Sequence, residues 1–246
     1  MSAPLKSTPP AYPTLPLRVP RNRSACMWYL LDLVSRGSRY YFSGDIRSPD
    51  RIEGFVRKMH SRYEVLLSPS ARTQRHKQGR VAAQLVLYPD WDGVCLWWLL
   101  LAGTDERVRT LAAGYNDRVW DAARGGENRL RFRDDYLLRT HQRTRRQGGG
   151  RGWTWYMAKH LARDTERELI SLAAGHGRRR QRVDDLERAA MRARQRPMFH
   201  GVRSQSSQAL RRAQVVWRKT HAAHDACPPC LTDPLPWFAG RMRIFD

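Results

Sequence analysis

Two apolar segments separated by a short turn sequence constrain the fold of this 246-residue chain more than any other feature. Residues 81–88 and 94–101 are rich in branched and aromatic side chains, and the five residues between them are Pro-Asp-Trp-Asp-Gly. Apolar segments of this length and composition are typical of β-strands, and a short linker with Pro, Asp and Gly is typical of a hairpin. The sequence therefore predicts an antiparallel β-hairpin here.

Other patterns between residues 25 and 140 predict short helices and further strands around this hairpin. A helix is expected over residues 27–34, and another after Ser48, where a Ser-Pro-Asp sequence is typical of a helix N-terminus. The basic residues 70–77 are expected to form a loop. Additional strands are expected at residues 39–44, 63–67 and 130–138. We therefore predict an α+β fold, with a small antiparallel sheet that carries helices on one face.

The pattern becomes helical after three consecutive glycines at positions 148–150. Apolar residues recur at helical spacing from Trp153, from Val183 and from Leu210, which predicts an Arg-rich α-helical module of three helices. The expected domains are a Pro-rich flexible arm (1–24), the α+β domain (25–140), a basic Gly-rich linker (141–152), the helical module (153–222) and a C-terminal tail (223–246).

The chain is arginine-rich and strongly basic. It contains 40 Arg and five Lys, its formal net charge is +22, and 21 basic residues accompany only six acidic ones between Arg139 and Lys219. Such a charge excess repels itself unless an anion is close, and nucleic-acid phosphate is the polyanion that it fits best. We therefore expect a nucleic-acid-binding protein, for example an accessory factor of a mobile element or of a ribonucleoprotein.

The arginine side chains are the expected phosphate contacts, because a guanidinium group can bind a phosphate through two hydrogen bonds. An arginine-bearing helix fits the major groove of DNA or lies along an RNA stem, so DNA and RNA both remain open. The candidate residues are Arg143, Arg145, Arg146, Arg151, Arg178, Arg179, Arg180, Arg182, Arg211, Arg212 and Arg218.

Two other functions are compatible with the same charge. A metal-independent endoribonuclease needs little beyond a histidine, a tyrosine or serine and a basic residue, and His141, His160 and Tyr156 are the candidate catalytic residues. The second alternative is an assembly protein that docks onto an acidic protein partner. The sequence contains no serine-hydrolase, zinc-protease or dinucleotide-binding motif that would favour another enzyme class.

A cluster of metal-ligand residue types lies close to the C-terminus. It comprises His221, His224, Cys227 and Cys230. Histidine and cysteine are the ligands of tetrahedral zinc, and the Cys-x2-Cys spacing is typical of half a zinc site. A structural zinc ion is therefore the one cofactor that the sequence raises, with a redox pair and a tail loop without function as the alternatives.

The sequence predicts a cytoplasmic protein with no membrane partner. The first twenty residues contain six prolines and no apolar core of a signal peptide. The longest apolar run, residues 94–102, is about half the length of a membrane-spanning helix. Four cysteines in a chain of this size do not form a disulfide framework.

Overall fold

The computed structural model describes residues 17, 19–90, 93–145, 148–175, 179–222 and 225–235, without the side chains of residues 127 and 179–182. The fold is mixed α+β, which confirms the predicted class. The chain forms two compact units, the first containing residues up to Asn128 and the second beginning at Arg129. No helix within the described ranges is both long and apolar enough to cross a membrane.

The first unit contains a four-stranded antiparallel sheet with the strand order β2-β3-β1-β4. Its elements are α1 (Arg23–Ser35), β1 (Tyr40–Ile46), α2 (Arg51–Tyr63), α3 (Pro69–Lys77), β2 (Ala82–Pro89), β3 (Cys95–Ala102), α4 (Asp105–Ala113) and β4 (Trp120–Asp121). Strands β2 and β3 form the predicted hairpin, with Leu85 opposite Leu99.

The core of the first unit lies between one face of this sheet and helix α2. Ile52, Val56 and Met59 follow helical spacing and are buried in one cluster with Leu85 and Leu99. This burial is the main source of stability for a helix whose other face is charged.

Helix α1 lies beside the edge strand β2. The side-chain amide of Gln84 donates a hydrogen bond to the hydroxyl group of Tyr29 in α1. Side chains alternate along a strand, so Gln84 points away from the cluster that contains Leu85. Helix α1 therefore packs on the face of the sheet opposite to α2.

The second unit contains a three-stranded antiparallel sheet with the order β5-β6-β7, followed by helices. Its elements are β5 (Arg131–Phe132), β6 (Tyr136–Gln142), β7 (Arg151–Met157), α5 (Lys159–Ala174), α6 (Arg179–Arg194), α7 (His200–Thr220) and α8 (Pro229–Thr232). Leu169, Leu186, Leu210 and Trp217 are buried together where these helices pack.

The helical module begins later than the sequence predicts, because residues 151–157 form strand β7. Trp153 and Met157 are four residues apart, a spacing that fits a helix turn and also fits one face of a strand. The run Trp-Thr-Trp-Tyr consists of aromatic and β-branched residues, which favour an extended backbone. Pairing with β6 decides between the two.

The predicted domain boundary moves for the same reason. The strand expected at residues 130–138 forms β5 and β6, and both belong to the second unit. Residues 141–152, expected to be an interdomain linker, end β6 and begin β7 with a turn between them. They are therefore a hairpin loop inside the second unit.

Two predictions in the first unit are also wrong. The strand expected at residues 63–67 does not form, because α2 extends to Tyr63 and Glu64 then takes a left-handed backbone conformation with φ of 54°. The expected basic loop is helix α3, in which the Ser68 hydroxyl accepts a hydrogen bond from the Ala71 N–H. This N-cap, followed by Pro69, is a helix-start signal that the basic composition obscured.

Substitution of Gly201 should destabilise the second unit. A Cβ atom at this position would overlap the carbonyl oxygen of Trp155 and the ring of Tyr156. We expect Gly201→Ala to lower the free energy of unfolding by about 1–3 kcal/mol, the usual cost of overpacking. The control is Gly54→Ala in α2, where a Cβ meets no atom within 4 Å. It should raise the free energy by about 0.5–1 kcal/mol. Urea denaturation followed by circular dichroism measures both, and an unchanged midpoint for Gly201→Ala would contradict the close packing.

Candidate nucleic-acid interface

The loop between β6 and β7 reverses direction through glycine. The N–H of Arg143 donates a hydrogen bond to the carbonyl oxygen of Gly150. Gly148, Gly149 and Gly150 have φ values of 86°, 65° and 73°, a backbone region that other residues rarely adopt. The Gly-rich sequence is therefore what allows the strands on either side to pair.

Arginines are concentrated on this hairpin. Arg139 lies on β6, Arg143 and Arg145 lie in the loop, and Arg151 begins β7, and all four are exposed. We call these four residues the hairpin arginines. Among the described residues of the second unit, the ion pairs join acidic residues to other basic side chains, and none of them includes a hairpin arginine. The hairpin therefore presents uncompensated positive charge.

On the helices of the same unit, carboxylates compensate part of the positive charge. Arg188 pairs with Asp185, Arg192 pairs with Glu168, and the candidate residue Arg212 pairs with Glu166. Exposed ion pairs of this kind contribute little to stability, typically below about 1 kcal/mol. Their main effect here is to reduce the positive potential on the faces of α5 and α6.

One side of α7 remains polar and basic along its whole length. His200, Ser204, Ser207, Arg211 and Arg218 recur at helical spacing, and Ser207 alone among them is half-buried. We call this set the α7 stripe. Its first and last residues are 18 positions apart, which is about 27 Å at the rise of an α-helix. Two of the candidate phosphate contacts, Arg211 and Arg218, are therefore carried on one accessible line.

Several other candidate residues cannot be assigned to a surface. Arg146 and Arg178 lie outside the described residues. The backbone of Arg179, Arg180 and Arg182 forms the first turn of α6, and their side chains are outside the description.

A pair of stacked histidine rings lies where α7 meets the sheet. His141 is near the end of β6, and His200 is the first residue of α7. The ring centroids are 4.7 Å apart and the ring planes differ by 25°. His141 is half-buried, whereas His200 is exposed at the outer side of the pair.

The environment of His141 favours its neutral form. Its Nδ1 atom is enclosed and has no hydrogen-bond partner among the described atoms. Burial lowers the pKa of His141 from its ordinary value, and the positive charges of His200 and Arg143 lower it further, while a contact with the Gly152 backbone acts in the opposite direction. At neutral pH the ring is therefore available to accept a proton.

Basic and aromatic side chains surround this pair on the same face of the sheet. In the β6–β7 register, His141 is opposite Gly152, and the Arg143 side chain lies over that glycine. Arg139 lies two residues from His141 along the strand, with its guanidinium 5.0 Å from the ring centroid of Tyr156. We call His141, His200 and these three side chains, Arg139, Arg143 and Tyr156, the histidine site.

The predicted catalytic trio is only partly assembled. His141 and Tyr156 lie on the same face of the sheet, but Tyr156 is opposite Leu137, four residues along β6 from His141. His160 lies near the other end of β6, with its Nε2 atom 3.7 Å from Asp135. Five residues along a strand separate the two ends, a distance of about 17 Å. His200 takes the position that was expected for His160. No local sequence pattern identifies His200, because its partner His141 is 59 residues earlier in the chain and only tertiary packing brings the two rings together.

The histidine and cysteine residues near the C-terminus do not converge within the described part of the chain. The His221 ring stacks on Trp217 at 3.7 Å, and its Nδ1 lies 3.0 Å from the Thr220 hydroxyl. Cys227 and Cys230 pack against the helical core. His224 is outside the described residues, and no group of three or more metal-ligand side chains occurs among those described.

Comparison with protein-family models, with curated proteins and with solved structures found no match for this chain.

The half-buried thiol of Cys230 should react slowly. Burial raises its pKa to about 11, so that almost all of it is protonated at pH 8. Since only the thiolate is nucleophilic, alkylation by iodoacetamide at pH 8 should be on the order of a hundredfold slower than in the urea-unfolded chain. The rate should increase about tenfold per pH unit toward pH 10. Peptide mass spectrometry measures it, and rapid alkylation of the folded protein at pH 7 would show that the thiol is not protected.

Proposed function

We propose that this protein binds nucleic acid through the phosphate backbone, with the hairpin arginines and the α7 stripe as its contact surface. One observation supports the proposal: the hairpin arginines are exposed, and none of the ion pairs among the described residues of the unit includes them. An uncompensated cluster of guanidinium groups attracts polyanions and can bind phosphate through paired hydrogen bonds.

The shapes of the two elements support the same proposal. A two-stranded ribbon and an α-helix are the two protein elements that the major groove of a duplex admits. The α7 stripe, at about 27 Å, matches roughly eight nucleotide steps at ~3.4 Å per step. Such contacts position a protein on nucleic acid without reading its sequence.

The proposed partner is DNA or RNA in the cytoplasm. A role as an accessory factor of a mobile element or of a ribonucleoprotein is consistent with backbone binding of this kind, in which another component supplies the sequence specificity.

Replacing hairpin arginines with neutral residues should weaken nucleic-acid binding and make it less dependent on salt concentration. The variant Arg143→Gln/Arg145→Gln/Arg151→Gln removes three positive charges from the exposed, unpaired set. The slope of log affinity against log salt should then decrease by about 2 to 3, because each lost phosphate contact removes about 0.9 from the slope on duplex DNA. Fluorescence anisotropy with labelled 30-base-pair DNA and RNA duplexes, from 50 to 300 mM NaCl, measures both quantities.

The matched control is Arg188→Gln/Arg192→Gln/Arg212→Gln, which removes the same charge from ion-paired arginines. It should change the slope much less. Equal losses for both triple variants would contradict a defined surface and leave only general charge attraction. No binding of the wild-type protein to naked DNA or RNA at 50 mM NaCl would refute the proposal and favour an acidic protein as the partner.

A further inference from the structure

The histidine site combines features that packing does not require. An enclosed ring nitrogen without a hydrogen-bond partner costs stability, and His141 retains one at Nδ1. The second ring stacked on it is exposed, so it does not fill a cavity in the core. Arg143 adjoins the pair, although its positive charge makes protonation of His141 less favourable. Partnerless polar groups of this kind are a reason to look for chemistry.

We propose that the histidine site cleaves the RNA backbone without a metal ion, with His141 as the general base and His200 as the general acid. This inference rests on the proposed function, since the hairpin arginines and the α7 stripe would hold the strand beside the site. It replaces His160 of the predicted trio with His200.

The reaction uses only groups that the site and the substrate supply. A ring nitrogen of neutral His141 accepts the proton of a ribose 2′-hydroxyl, and the 2′ oxygen forms a bond to the adjacent phosphorus. The bond between phosphorus and the 5′ oxygen breaks, and its electron pair stays on that oxygen. The imidazolium form of His200 then donates its proton there. The products are a 2′,3′-cyclic phosphate and a 5′-hydroxyl, and solvent returns both histidines to their starting forms.

The two rings are close enough to act on one phosphate group. Their centroids are 4.7 Å apart, and in this displacement the attacking and leaving oxygens lie on opposite sides of the same phosphorus. Arg139 and Arg143 flank the pair and can stabilise the negative charge that develops on the other phosphate oxygens.

RNA is the substrate class because the attacking group is the 2′-hydroxyl, which DNA lacks. A pool of randomised 40-nucleotide RNAs with a 5′ fluorophore is the probe, in buffer with EDTA. We expect shortened products that end in a 2′,3′-cyclic phosphate, as identified by mass spectrometry. A pool of the same length made of DNA should be bound and left intact.

The variants His141→Gln and His200→Gln should each reduce the cleavage rate by about a hundredfold or more, the usual contribution of general acid or base catalysis. Both should retain most of the RNA affinity, because they leave the hairpin arginines and the two arginines of the α7 stripe in place. His200 is exposed, so its replacement should also leave the thermal unfolding midpoint unchanged. The control His160→Gln removes a histidine that is likewise exposed and should cleave at the wild-type rate.

The pH profile adds a readout that a structural role would not move. On the acid side of the profile, the midpoint of the increase in cleavage rate should lie below the ordinary histidine pKa of about 6.5, because the pKa of His141 is lowered. RNA binding without cleavage by the purified wild-type protein would overturn this inference and leave the proposed function standing. Cleavage that persists in the His200→Gln variant would also overturn this inference and leave the proposed function standing. Absence of RNA binding by the wild-type protein would instead refute the proposed function.

Discussion

The contact between the first turn of α7 and strand β7 organises the second unit. Gly201 lies directly on the Trp155 carbonyl group, and its N–H donates a hydrogen bond to the Thr154 hydroxyl. One turn further, the Gln205 side chain accepts a hydrogen bond from the N–H of Met157 and donates one to its carbonyl oxygen. These bonds satisfy polar backbone groups that a packed helix would otherwise leave without partners. They also fix where α7 begins, and so they bring His200 onto His141.

The same docking explains why the arginines have different surroundings. Helix α7 packs along α5, which brings Arg212 to Glu166, and α5 in turn supplies Glu168 to Arg192 of α6. These contacts between helices pair two of the acidic residues with arginines of neighbouring helices. The β6–β7 loop has no acidic residue of its own, so nothing within the loop compensates the positive charge of its arginines. Charge separation within one unit follows from which elements carry the carboxylates.

Local patterns predicted part of this fold well. The β2–β3 hairpin and the amphipathic face of α2 were predictable because each depends on residues that are neighbours in sequence. The strand β7 was not, since the spacing of Trp153 and Met157 suits a helix as well as a strand. Its conformation depends on hydrogen bonds to β6, and the glycines that permit those bonds also resemble a flexible linker. The sequence pattern assigned Arg143, Arg145 and Arg151 to a linker, whereas in the structure they lie on a hairpin.

The sequence by itself determined the α+β class and the basic character of the chain. These properties depend on composition and on short-range periodicity, which are present in the unfolded chain. Only the tertiary structure decided which arginines remain unpaired and which histidines meet. Ion pairs such as Arg212–Glu166 and the stack of His141 on His200 join residues 46 and 59 positions apart. No local pattern encodes such contacts, because they form only when α5, α7 and the sheet pack together.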